Sequence, residues 1–245
     1  MAEYRQYEQG QVRTRAGEGA VIDEGLRAYM LKVYNYMAGG VAVTGIVALA
    51  LANWVATNPA IGQTLYQSPL RWVIMLAPLA FVMVLSFGIN RLSTGAAQAV
   101  FWAFSAVMGV SISWIFMVYT GGSIAQTFFV TAAAFACLSL YGYTTKKDLS
   151  GWGTFLIMGV FGLIIASLVN IFLQSSALMF AVNVLGVLIF AGLTAYDTQR
   201  IKAMYDHVAH DGTLLAKSAI MGALSLYLDF VNMFMFLLSF LGNRE

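Results

Sequence analysis

Charge is what this sequence has least of. Only 10% of its 245 residues are Asp, Glu, Lys or Arg, while 60% are hydrophobic. A soluble domain carries about a quarter charged residues, so the composition excludes an ordinary water-soluble fold and points to an integral membrane protein. The mean hydropathy of +0.77 agrees. Cysteine occurs once, as Cys137, which excludes a disulfide within the chain; its apolar neighbours lead us to expect a buried thiol. All three prolines precede residue 79. The net charge of +2 is too small for a nucleic-acid-binding surface. Residues 1–20, "MAEYRQYEQGQVRTRAGEGA", lack the apolar core of a cleavable signal peptide and are expected as a disordered cytoplasmic tail.

What the chain does have is long uncharged runs, and these count the membrane crossings. A crossing helix needs about 20 mainly apolar residues. Residues 33–70 hold one span and a polar loop, and residues 72–90 hold a second. The run 92–145 breaks at "YTGGS" into two, and 149–196 breaks at "LQSSA" into two more. The run from Ser218 adds a seventh. Seven spans place eleven of the 13 Lys and Arg on the side of the N-terminus, leaving Arg71 and Arg244 opposite. By the positive-inside rule the N-terminus is expected in the cytoplasm and the C-terminus across the membrane. Ile22, Leu26, Tyr29, Met30 and Val33 recur at helical spacing, so residues 21–33 are expected as an amphipathic helix on the membrane surface. Residues 34–243 are then the seven-helix transmembrane domain.

Every Glu lies in the terminal segments, and four of the six Asp fall in cytoplasmic stretches. The other two are Asp197, in "AGLTAYDTQRIK", and Asp229, in "YLDFVNMF". An ionisable residue inside a span is a functional candidate by default. On the seventh span, Gly222, Ser225, Asp229, Asn232, Phe236 and Ser239 share one face, a small and polar stripe that must meet protein or water. On the sixth, Asn183, Gly186 and Thr194 share the face of Asp197, which argues that it too points inward. The competing readings are a structural hydrogen bond for Asp229 and an interfacial pair with Arg200 for Asp197. Arg91, at the end of the second span, is either an interfacial anchor or a counter-charge for the carboxylates. Two carboxylates close together cannot both ionise cheaply and titrate as a pair. Such a pair, balanced by an arginine, would be a pH-sensitive latch.

At these residues the sequence resembles the Bax inhibitor-type family of membrane proteins, also called the transmembrane Bax inhibitor motif family. The stretches that carry the resemblance are "AYDTQRIK" (195–202), "ALSLYLDFVNMFMFLLSFLGN" (223–243) and "KKDLSGWGTFLIMGVFGLIIASLVNIF" (146–172). The resemblance implies a seven-helix bundle with the last helix at its centre, surrounded by the other six. It also implies a pH-sensitive calcium leak channel, gated by a hydrogen-bonded aspartate pair and an arginine ending the second helix. Asp197 and Asp229 match the pair, and Arg91 matches the arginine by spacing. Asn232, Ser225, Asn183 and Thr194 are the expected supporting residues. Calcium, a hard cation that prefers oxygen, would bind transiently at Asp197 and Asp229 and pass on. No cofactor is implied, and the bilayer is expected to be a bacterial inner membrane.

Two other classes fit parts of the pattern. A non-conducting protein that binds and regulates other membrane proteins would need no pore. An intramembrane aspartyl protease would use the Tyr196–Asp197 pair, but its second motif should be Gly-x-Gly-Asp, where this chain has "LYLD". A light-driven pump is excluded, because the seventh span has no central lysine for a Schiff base. "DHVAHD" (206–211) sets two His beside two Asp, a pattern of either metal ligands or a solvated loop.

Overall fold

The computed structural model describes residues 24–243, and the expectations for the tail and for residues 21–23 lie outside them. Seven long apolar helices follow in order: α1 (Glu24–Thr57), α2 (Leu70–Gly88), α3 (Thr94–Val118), α4 (Gly121–Thr144), α5 (Ser150–Leu173), α6 (Ser176–Val208) and α7 (Gly212–Leu241). The breaks have local causes. Ser93, Thr120 and Ser175 cap α3, α4 and α6, each side chain accepting a backbone N–H of the first turn. Gln174 ends α5 in the left-handed conformation, with φ 48°, which turns the chain back towards α6. Two short helical segments, Pro59–Gly62 and Gln63–Gln67, fill the loop after α1. There the Tyr66 hydroxyl shares a 2.6 Å hydrogen bond with Ser113.

The last helix is central, packed by α1, α3, α4 and α6, whereas α2 leans mainly on α3 and α5 on α6. The ring of six neighbours is therefore four neighbours and two outer helices. Around α7 the packing is aromatic. Phe101 and Phe104 of α3 meet Tyr227 edge-on, at centroid distances of 6.4 and 5.1 Å. The Tyr227 hydroxyl shares a 2.6 Å hydrogen bond with Thr44 of α1. In lipid, such packing and hydrogen bonding hold helices together, because leaving the hydrocarbon carries no hydrophobic gain.

Two expectations change here. Residues 24–33 are the first turns of α1 itself, not a separate surface helix. Tyr29, Met30 and Val33 are buried, and the Tyr29 hydroxyl shares a 2.8 Å hydrogen bond with Ser218 of α7. Helical periodicity identifies an apolar stripe without saying whether lipid or protein covers it. Cys137, expected buried, is exposed on the outer face of α4, where lipid, not protein, surrounds it.

Candidate functional site: a buried carboxylate pair

α6 and α7 run antiparallel, and their contacts set the register. The amide of Asn183 donates to Ser239 Oγ at 2.9 Å, Gly186 lies under the Phe236 ring, and Gly222 lies against Ile201. That register sets Asp229 about one helical turn from the level of Asp197, within electrostatic reach of it. Both are buried, 7% and 4% exposed respectively. Asp229 sits roughly 18 Å along the helix from Leu241, at 1.5 Å per residue, well inside the span. Small residues let the helices close around the pair. A Cβ on Gly142 of α4 would collide with the Ala195 carbonyl, so glycine there permits α4 and α6 to touch backbone to backbone.

The two carboxylates differ in their surroundings. Asp197 Oδ1 pairs with Arg200 Nη2 at 3.2 Å, one helical turn away. The same guanidinium donates to Ser225 Oγ at 3.3 Å, tying α6 to α7, and lies 5.6 Å over the Tyr196 ring. Among the described residues Asp229 has no such partner: its Oδ2 is buried without a hydrogen bond. Its electrostatic neighbours are Asp197 and Arg200. A buried acceptor left unmatched costs about 1–3 kcal/mol, more if charged. With both carboxylates ionised, the two charges repel across the interface, and a proton on either one relieves that repulsion.

Arg91 is exposed, in the turn after α2, and among the described residues it makes no ion pair. The counter-charge in this structure is Arg200. Its i, i+3 spacing from Asp197 was visible in "DTQR", whereas the position of Arg91 rested on spacing from another helix. Of the expected supporting residues only Ser225 reaches the site, through Arg200. Asn232 donates to the Leu228 carbonyl at 2.8 Å and Thr194 to that of Phe190 at 2.8 Å, each serving its own helix. Asn183 holds the register farther along. Sequence reasoning missed Thr198, beside Asp197, whose hydroxyl donates to Ser139 of α4 at 3.4 Å.

Arg200 also borders a polar hollow of about 370 Å³, lined by Lys146, Lys147, Asp148, Tyr196 and Gln199 among others. Gln199 clips the α4–α5 loop over it, donating to the Lys147 carbonyl and accepting from Leu149 N–H, both at 2.8 Å. Asp148 accepts from the Ser150 N–H at 2.8 Å, and its hydrogen bonds to Ser150 hold its carboxyl below the usual range. Among the described residues no three His, Cys, Asp or Glu gather as a metal site. In "DHVAHD", Asp211 instead caps α7, accepting from Thr213 and Leu214 N–H at 2.7 and 3.1 Å.

A helical membrane bundle whose central helix buries a carboxylate within electrostatic reach of a second one is a polytopic membrane protein with an intramembrane acidic site. The chain belongs to the family described as "Inhibitor of apoptosis-promoting Bax1", which it matches over residues 26–245. It is 48% identical to the "Inner membrane protein YbhL" of Escherichia coli, across 90% of this chain and 94% of that one. It is 49% identical to a Caulobacter vibrioides protein, covering 91% and 92% of the two chains. A Rickettsia prowazekii protein is 45% identical over 95% of this chain and 96% of its own.

Proposed function

We propose that the protein is a pH-sensitive calcium leak channel of a bacterial inner membrane, gated by Asp197 and Asp229. The observation that carries this reading is the unmatched, buried Oδ2 of Asp229 beside a second carboxylate that is already paired. Gain or loss of one proton changes which α6–α7 contacts are satisfied, so pH selects between helix arrangements. Calcium is the transported ion: carboxylate oxygens suit it, and two carboxylates offer far fewer than its usual six to eight oxygens, which favours passage over retention. Arg200, not Arg91, is the latch cation. The N-terminus lies in the cytoplasm and the C-terminus opposite, by the eleven-to-two bias of Lys and Arg.

The protein is not an enzyme in this reading. Leu226 and Tyr227, just before Asp229, are fully buried and fill the space that a protease substrate would need. The test is calcium entry into dye-loaded proteoliposomes over a series of pH values on both sides of neutrality. Wild type should leak with a pH-dependent rate, and Asp229→Asn should lose that dependence. No leak above protein-free vesicles at any pH would sink the channel reading. A non-conducting regulator of other membrane proteins would then be the better account.

A further inference from the structure

One feature that this function leaves unused is a slot of about 540 Å³ between α1 and α4. These helices each pack on α7 without packing closely on one another, so a gap opens between them on the outer face of the bundle. Its floor is buried: Met30 and Ser139 are 3% and 4% exposed. Its rims, Leu31 and Leu140, are 51% and 63% exposed. A slot with a buried floor and exposed rims, cut into a membrane helix bundle, opens sideways to lipid. The volume is that of a site for a small ligand, not a packing flaw. Along α4 it runs from Phe135 to Tyr143, roughly 12 Å at 1.5 Å per residue. One leaflet offers about 15 Å of hydrocarbon.

The ends of the slot differ. One end is apolar, at Phe135. The other carries Arg27, exposed and without an ion pair among the described residues, even though Glu24 lies one turn away. A second cation stands behind it. Lys202 donates to the Tyr143 carbonyl at 2.8 Å and lies 4.7 Å over the Tyr143 ring, which lines the slot. Apolar walls ending in a basic mouth complement an acyl chain bearing an anionic head. We propose that this slot binds one anionic phospholipid of the surrounding leaflet, with its phosphate at Arg27 and an acyl chain along α4. Its floor lies close to the carboxylate pair: Ser139 accepts from the Thr198 hydroxyl at 3.4 Å, and Thr198 directly follows Asp197. Binding itself does not depend on ion conduction.

The test uses the full chain in nanodiscs holding equal phosphatidylglycerol and phosphatidylcholine, and measures lipid retained after detergent exchange by native mass spectrometry. Wild type should keep one phosphatidylglycerol in preference to phosphatidylcholine. Arg27→Gln, a change at an exposed residue, should lower that preference about five-fold. Ala136→Trp, which fills the slot from its open side, should abolish retention of either lipid. Lys32→Gln, in a different groove between α1 and α3, should leave the preference as in wild type. Equal retention of the two lipids by wild type would overturn the proposal. So would equal losses in Arg27→Gln and Lys32→Gln, since that result means surface attraction without a site. Displacement of the bound lipid by inorganic phosphate alone would also overturn it, by showing an anion site that needs no acyl chain.

Discussion

α5 and α7 invert the rule that governs soluble proteins. α5 is the more apolar, with mean hydropathy 2.5 against 1.8, yet only 11% of its span is buried, against 50% of α7. In water the more apolar helix would go inside. In lipid the surroundings of an outer helix are already apolar, so nothing drives Leu or Phe inward. What must leave the hydrocarbon is the polar stripe of Asp229, Ser225 and Asn232, and the helix carrying it takes the centre.

That contrast can be broken at several positions. The largest effect should come from the aromatic cluster. Tyr227→Ala, which removes the ring between Phe101 and Phe104 and the hydroxyl bonded to Thr44, should cost about 3 kcal/mol or more. Phe155→Ala on α5, at a side chain 69% exposed, should cost under about 0.5 kcal/mol. Equal losses in thermal unfolding in detergent would refute the inside-out reading of α7.

Next come the glycines. Gly142→Ala puts a Cβ into the Ala195 backbone and should cost about 1–3 kcal/mol. Gly162→Ala on α5 meets open space and should be neutral or stabilising by up to about 1 kcal/mol through helix propensity. A Gly142→Ala variant as stable as wild type would mean that α4 and α6 are not in backbone contact.

A smaller and more specific effect separates the two arginines. Arg200→Gln should move the midpoint of the pH–flux profile by about a unit, while Arg91→Ala should leave it in place. The reverse result would return the latch to the end of α2. Because the Arg200 guanidinium is about half exposed while Asp197 is buried, the effect on stability should be modest, about 1 kcal/mol.

The smallest effect lies at the edge of α7. Bonds from the Leu214 and Thr213 N–H groups hold the Asp211 carboxyl below its usual range. A depressed folded value means that its stabilisation is complete above about pH 4, its unfolded value. It is lost as pH falls further, through the folded value. Asp211→Ala should therefore lower the unfolding temperature slightly at pH 7, with the difference from wild type shrinking below about pH 4. A difference independent of pH would show that the cap acts through shape and not charge.

Much of this was legible before any coordinates. The seven spans follow from gaps in charge, and the breaks at "YTGGS" and "LQSSA" fall where Thr120 caps α4 and where Gln174 turns the chain. The inward stripe on α7 follows from the helical period. The partner of Asp197 was harder. Arg200 and Arg91 were both cations near the ends of spans; the spacing in "DTQR" offered Arg200, and the structure chooses it by pairing it with Asp197 and with Ser225 of α7. The slot between α1 and α4 was invisible, because it is made by two helices failing to meet.

By itself, then, the sequence determined that this is a membrane protein, how many times it crosses, and which residues share a face of each helix. Spacing and charge decide those matters locally, through the thickness of the bilayer and the period of the helix. The tertiary structure alone decided what each face meets. It turned residues 24–33 into the protein, turned Cys137 towards lipid, and gave Asp197 to Arg200 while leaving an oxygen of Asp229 unmatched. Periodicity fixes directions around one helix axis, whereas contact depends on where a second axis lies, and that is set by the packing of the whole bundle.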